Sequence, residues 1–122
     1  MGRKRLIEGP SKAAIPLPVD ERGVVADLSG FCIRGLHVVT MEPGALRGNH
    51  MHDRDEIVCV VGGGAKCELT GEDQISGECQ RIIVEGNLKT YRINAGVKHT
   101  FRNFGVDTFY LVCFYGSLSS SS

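Results

Sequence analysis

The hydrophobic positions fall in short runs separated by glycine, proline and polar clusters, and none repeats at the helical period of about 3.6 residues. Ile33 to Met41 is rich in β-branched residues and predicts a strand, ended by the turn Glu42-Pro43-Gly44. Ile57-Val58-Cys59-Val60-Val61 is apolar at every position, which predicts a strand covered on both faces by two sheets. Gly62-Gly63-Gly64 breaks it. Ala65 to Leu69 alternates as a strand, and Thr70 to Glu78 reads as a polar loop. Arg81 to Val84, Leu88 to Ile93, Lys98 to Asn103 and Thr108 to Phe114 predict further strands. Upstream, Asp20-Glu21-Arg22-Gly23 predicts a turn before the apolar stretch Val24 to Leu28. Many short strands with frequent turn signals predict an all-β antiparallel sandwich or barrel.

The two ends differ from this body. Residues 1–19 carry Pro10, Pro16 and Pro18, and proline cannot donate to a strand ladder. They are expected to form an irregular arm or an edge strand. Residues 117–122 are nearly all serine and are expected to be disordered. That leaves 20–116 as one domain.

Composition narrows the function. Lys plus Arg is 14 and Asp plus Glu is 14, so the net charge is zero. No basic field argues for nucleic acid or an anionic membrane. No apolar run approaches the roughly 18 residues that span a bilayer, and the basic start Met-Gly-Arg-Lys-Arg-Leu is not followed by a signal-like apolar stretch. The five cysteines, Cys32, Cys59, Cys67, Cys79 and Cys113, include no C-x-x-C pair. Cys59 and Cys113 sit in apolar runs as small core residues, and a reducing, cytoplasmic setting is expected.

The chemistry concentrates between Gly44 and Gly63. His50, His52 and Glu56 lie at i, i+2 and i+6, and even offsets along an extended chain point to one face. This holds only while the chain from His52 to Glu56 stays extended. His99 follows in a second glycine-framed segment. Three imidazoles and one carboxylate form a donor set for a divalent transition metal, with Zn, Mn, Fe, Co and Ni all admissible.

Gly44, His50, His52, Glu56 and Gly63 match the first cupin motif, G-x5-H-x-H-x3-E-x6-G, at every fixed position. Gly86, Gly96, His99 and Asn103 match the second, with Asn94 at a position where cupins usually carry proline. The sequence thus resembles the cupin superfamily. The wording Pro-Gly-x-x-Arg-Gly-Asn-His-x-His resembles its sugar-modifying branch, the RmlC-like cupins of capsular polysaccharide and deoxysugar nucleotide biosynthesis. The resemblance implies a double-stranded β-helix, the cupin jelly roll. It also implies a small-molecule substrate such as a nucleotide sugar, and a homodimer.

Within that resemblance several residues compete for roles. Arg47, Asn49 and Arg102 are candidates for substrate binding, Arg47 through its planar fork toward phosphate. His37, Tyr91 and Tyr110 are candidate proton-transfer groups. Arg34-Gly35-Leu36-His37 repeats the R-G-x-H pattern of the epimerases, yet the ligand spacing assigns that segment to Arg47-Gly48-Asn49-His50. His37 therefore reads first as a strand residue. In metal-free relatives of the ketoisomerase type, the positions of His50 and His52 act as acid and base. The leading expectation is an isomerase or epimerase of a sugar nucleotide or keto-sugar working by metal-assisted enolisation. A metal-dependent dioxygenase and a non-catalytic small-molecule-binding cupin are the alternatives.

Overall fold

The computed structural model describes residues 6–9, 15–28 and 31–118. Among these the structure is all β: β1 (Ile7–Glu8), β2 (Ile15–Asp20), β3 (Gly23–Asp27), β4 (Phe31–Met41), β5 (Leu46–Met51), β6 (Glu56–Val61), β7 (Lys66–Asp73), β8 (Cys79–Glu85), β9 (Lys89–Ile93), β10 (Val97–Asn103) and β11 (Phe109–Leu118). A five-stranded sheet runs β1-β9-β6-β11-β4, a four-stranded sheet runs β5-β10-β7-β8, and β2 pairs with β3. The neighbours within each sheet are antiparallel.

The two larger sheets pack over one core. Val58 and Val60 of β6, Leu111 of β11, and Leu69 and Phe101 of the facing sheet meet there, all buried. Burying such a side chain contributes about 1.5–3 kcal/mol. On the other face of β6, Ile57 packs with Phe114 and Leu28 in a separate small cluster. This second cover is why β6 is apolar at every position from Ile57 to Val61 rather than alternating. By contrast β10 alternates, with Val97, His99, Phe101 and Asn103 buried and Arg102 exposed.

Two expectations change. The polar stretch from Thr70 is not a loop at its start, because β7 continues to Asp73. It lies between β8 and β10, and Thr70, Gly71 and Glu72 pair with Arg81, Gln80 and Cys79 on one side. Two partner strands satisfy the backbone there, which outweighs the polar composition. At the C-terminal end, Ser117 and Leu118 extend β11 and pair with Cys32 and Phe31. Disorder expected from Ser117 therefore does not begin there; 119–122, like 1–5 and 10–14 of the N-terminal arm, lie outside the described residues. Within the described part of the arm, β1 borders the five-stranded sheet.

The motif residues Asn94 and Asn103 have structural explanations. The Asn94 N–H donates to the Leu6 carbonyl at 3.0 Å, beside the pairing of Ile7 with Ile93. Proline has no N–H and would forfeit that bond, so the departure from the usual proline goes with the docking of β1. Asn103 is fully buried, and its Nδ2 donates to the carbonyls of Met41 and Asp107, both at 2.9 Å. Its Oδ1 accepts from the Gly105 N–H at 2.9 Å. One side chain thus ties the end of β10 to the end of β4 and to the following loop.

Candidate metal centre and ligand cavity

The site is built where β5 and β10 of one sheet face β6 of the other. His99 pairs opposite His50, and Thr100 opposite Gly48, so Asn49 is the extra residue of a β-bulge. Asn49 has φ of 65° and Gly48 of 116°. A Cβ at Gly48 would stand 2.5 Å from the His99 carbonyl oxygen, so glycine is what lets the two strands close here. His52 follows β5, and its carbonyl accepts the Gly96 N–H at 2.9 Å. The chain then bends at 53–54, and the Asp55 carboxylate accepts the Ala95 N–H at 2.8 Å. Glu56 opens β6 in the opposite sheet. The extended path from His52 to Glu56 that strand parity requires is not taken. The side chains meet because the two sheets face one another.

His52, Glu56 and His99 form the compact group, with one donor atom from each all within 4.8 Å of one another. Glu56 Oε1 lies 3.2 Å from His99 Nε2, and Oε2 lies 3.7 Å from His52 Nε2. Glu56 and His99 are buried, and His52 is half-buried. His50 lines the same cavity but stands outside this group, its ring centroid 6.3 Å from that of His52.

The donor chemistry fits a cation. His99 Nδ1 faces the Val97 carbonyl at 3.3 Å while its Nε2 faces a carboxylate oxygen. A neutral imidazole has one N–H and cannot donate to both. With Nδ1–H given to Val97, the Nε2 lone pair is directed at Glu56, where a proton or a metal ion between the two groups relieves the repulsion. Two imidazoles and one carboxylate with room for further ligands are a recognised donor set for a divalent transition metal.

A cavity of about 490 Å³ opens beside this group, within the size range of small-molecule sites. All four histidines of the chain line it, together with Arg47, Glu56 and Cys113. Val39, Leu46, Phe101 and Leu111 give it an apolar wall. His37 reaches it because Cys113 pairs opposite His37, and both project inward with Leu111 and Val39. Arg47 is exposed and spans the gap between strands, its Nε donating to the Thr40 carbonyl at 3.3 Å. Burial, then the Glu56 charge, pushes the Cys113 thiol up to about 12, so it lines the wall as a neutral group.

Other candidates from the sequence do not reach the cavity. Tyr91 is buried in the main core, where burial raises its phenol. Tyr110 pairs opposite Thr40 on the outward face of β11 and is exposed. Arg102 is exposed between the buried Phe101 and Asn103, so strand alternation turns it outward. Asn49 is exposed at the bulge and is not part of the lining. Sequence reasoning missed Tyr115, whose hydroxyl lies 3.0 Å from His52 Nδ1. Its parity with Cys113 on one strand was readable, but its pairing opposite Glu56 was not.

The fold recurs in solved structures. The capsular polysaccharide assembling protein CapF from Staphylococcus aureus is similar over 87% of this chain, with a TM-score of 0.60 and 25% identity. The fold is that of the RmlC-like cupins. A 3,4-ketoisomerase from Helicobacter canadensis matches 85% of this chain and 80% of its own length, with a TM-score of 0.66 and 22% identity. The dTDP-6-deoxy-D-glucose-3,5-epimerase RmlC from Legionella pneumophila Philadelphia 1, in complex with dTDP-4-keto-L-rhamnose, matches 83% of this chain and 63% of its own length. Its TM-score is 0.63 and its identity 18%. The chain spans 30% of the length of the CapF structure. No family model matches the sequence, and no curated protein does. No helix among the described residues is long and apolar enough to cross a membrane.

Proposed function

We propose that this cupin is a metal-binding isomerase or epimerase acting on a nucleotide sugar or a related keto-sugar. The observation that carries the reading is the His52–Glu56–His99 group set in the wall of a cavity into which every histidine of the chain projects. Similarity in fold to an epimerase bound to a dTDP-sugar and to a 3,4-ketoisomerase supports the substrate class.

His52, Glu56 and His99 are the residues that would hold the metal. A divalent ion there would supply Lewis acidity to a carbonyl oxygen of the substrate. The remaining work falls to the chain. His37 on β4 and His50 on β5 flank the cavity from opposite sheets, which suits them to remove and return a proton at the carbon next to the carbonyl. Arg47, at the same wall, offers a planar fork to a phosphate oxygen. Val39, Phe101 and Leu111 offer the reacting carbon an apolar wall.

A second reading is metal-free. The buried contact of Glu56 Oε1 with His99 Nε2 at 3.2 Å is also a carboxylate–imidazole pair suited to proton transfer. His50 and His52 would then serve as acid and base. The reading also includes a homodimer, supported by Leu36, Val38 and Leu46, which are exposed on the two edge strands beside the cavity.

The test is solvent exchange. Protein purified without a nickel column is analysed for metal, then incubated in D₂O with 4-keto-6-deoxy nucleotide sugars. We expect deuterium beside the carbonyl, dependent on metal and lost in Glu56→Gln. Exchange that survives chelation would favour the metal-free account. No exchange in the metal-replete protein would remove the isomerase reading.

A further inference from the structure

Tyr115 has no part in the proposed reaction, yet three contacts converge on it. Its hydroxyl is 3.0 Å from His52 Nδ1, and the two rings meet edge to face with centroids 5.3 Å apart. The Arg54 guanidinium sits over its ring, 4.6 Å from the centroid. Behind it is Gly35, with φ of 63°, where a Cβ would stand 2.9 Å from Tyr115 Cδ2. His52 and Arg54 both belong to the bend that links β5 to Glu56.

We propose that Tyr115 is the positioning residue of the site, docking the 52–55 bend and fixing which nitrogen of His52 is presented to Glu56. The inference rests on the metal reading for its functional consequence, but not for its geometry. A ring held through Nδ1 can turn only Nε2 toward the Glu56 carboxylate, as observed at 3.7 Å. The phenol can donate to Nδ1 or accept from it. In the metal-free protein it donates, leaving the His52 proton on Nε2 toward Glu56. With a cation held at Nε2 it accepts, and His52 keeps the same orientation. A side chain able only to donate or only to accept could serve one of those states and not the other. Arg54 holds the ring from the bend side through a cation–π contact. Gly35 leaves the ring space on the strand side. The bend is therefore held at two points along three residues, which is how an otherwise irregular segment delivers His52 to the group.

Two measurements test this. In metal-free protein, the ¹⁵N shifts of the His52 ring report the tautomer of its neutral form. We expect one dominant Nε2–H tautomer in the wild type and a mixture in Tyr115→Phe, which removes only the hydroxyl. A wild-type ring with evenly mixed tautomers would overturn the proposal without any variant. Zn²⁺ affinity should fall about 10–100-fold in Tyr115→Phe, the usual effect of losing an outer-shell partner, with the melting temperature of the metal-free protein unchanged. Unchanged tautomer and affinity would overturn it, as would a loss of affinity explained by equal loss of stability. If the wild type binds no metal at all, the metal reading fails, while the tautomer measurement still decides the role of Tyr115.

Discussion

Asn103→Ala removes a fully buried side chain that makes three hydrogen bonds of 2.9 Å. Their environments differ. The Met41 carbonyl belongs to a fully buried residue, so losing its partner costs the desolvation of that group, about 1–3 kcal/mol. The Asp107 carbonyl and Gly105 N–H are bonded in part-buried surroundings, where water can replace the lost partner. Those two bonds contribute about 0.5–1.5 kcal/mol each. Some relaxation of the loop offsets part of this, and we expect a net loss of about 2–4 kcal/mol. For a domain of this size that lowers the melting temperature by roughly 10–15 °C. The assay is urea unfolding followed by circular dichroism, with the slope against denaturant compared between proteins. Asn103→Asp serves as the control. It keeps the acceptor for Gly105, loses both donors, and puts a carboxylate at a fully buried position, so it should be at least as damaging. A loss below about 1 kcal/mol in Asn103→Ala would refute the accounting and show that the junction is held by the backbone hydrogen bonds of Asn103 with Gly44 and Ala45 alone.

Other expectations follow from the same structure. His52→Ala, Glu56→Ala and His99→Ala should each reduce bound metal by elemental analysis, with His50→Ala affected less and His37→Ala not at all; equal metal in all five would dissolve the site. Bound metal should also raise the melting temperature in proportion to the logarithm of its concentration, since it binds the native state alone. Asn94→Pro should cost about 1–3 kcal/mol by chemical denaturation, because the Leu6 carbonyl loses its donor; a neutral outcome would mean that β1 docks without it. Burial holds the Cys67 and Cys113 thiols at about 12, against an ordinary 9.0. The native state therefore keeps protons that the unfolded chain has released, so stability is whole below about pH 9 and lost as pH climbs toward 12. Replacing both with alanine should flatten that alkaline limb in urea midpoints measured from pH 7 to 11, and an identical limb would contradict the burial argument.

The sequence by itself determined the strand content and the identity of the reactive stretch. Local rules suffice for these. Alternation, β-branched runs and glycine breaks act within a few residues, and the unbroken apolar run at β6 already required a cover on both faces. Local composition failed where a strand's neighbours mattered more than its own residues: Thr70 to Glu72 are polar but paired, and Ser117 and Leu118 extend β11 through Cys32 and Phe31. For the site, spacing grouped His50, His52 and Glu56, with His99 added from the second glycine-framed segment; the structure brings His52, Glu56 and His99 together, and not by the extended path that strand parity assumes. The chain bends after His52, and Glu56 reaches the group from the other sheet. Parity within one strand cannot show this, since it describes a single pleated ribbon and not the packing of two. Only the tertiary structure decided that His50 stands apart from the compact group and that His37 joins the cavity. It turned Tyr91 into the core and Tyr110 and Arg102 outward, and it brought Tyr115 from the end of the last strand to within hydrogen-bonding distance of His52. Each of these depends on register between strands distant in sequence, and a register shift of one residue turns every side chain to the opposite face.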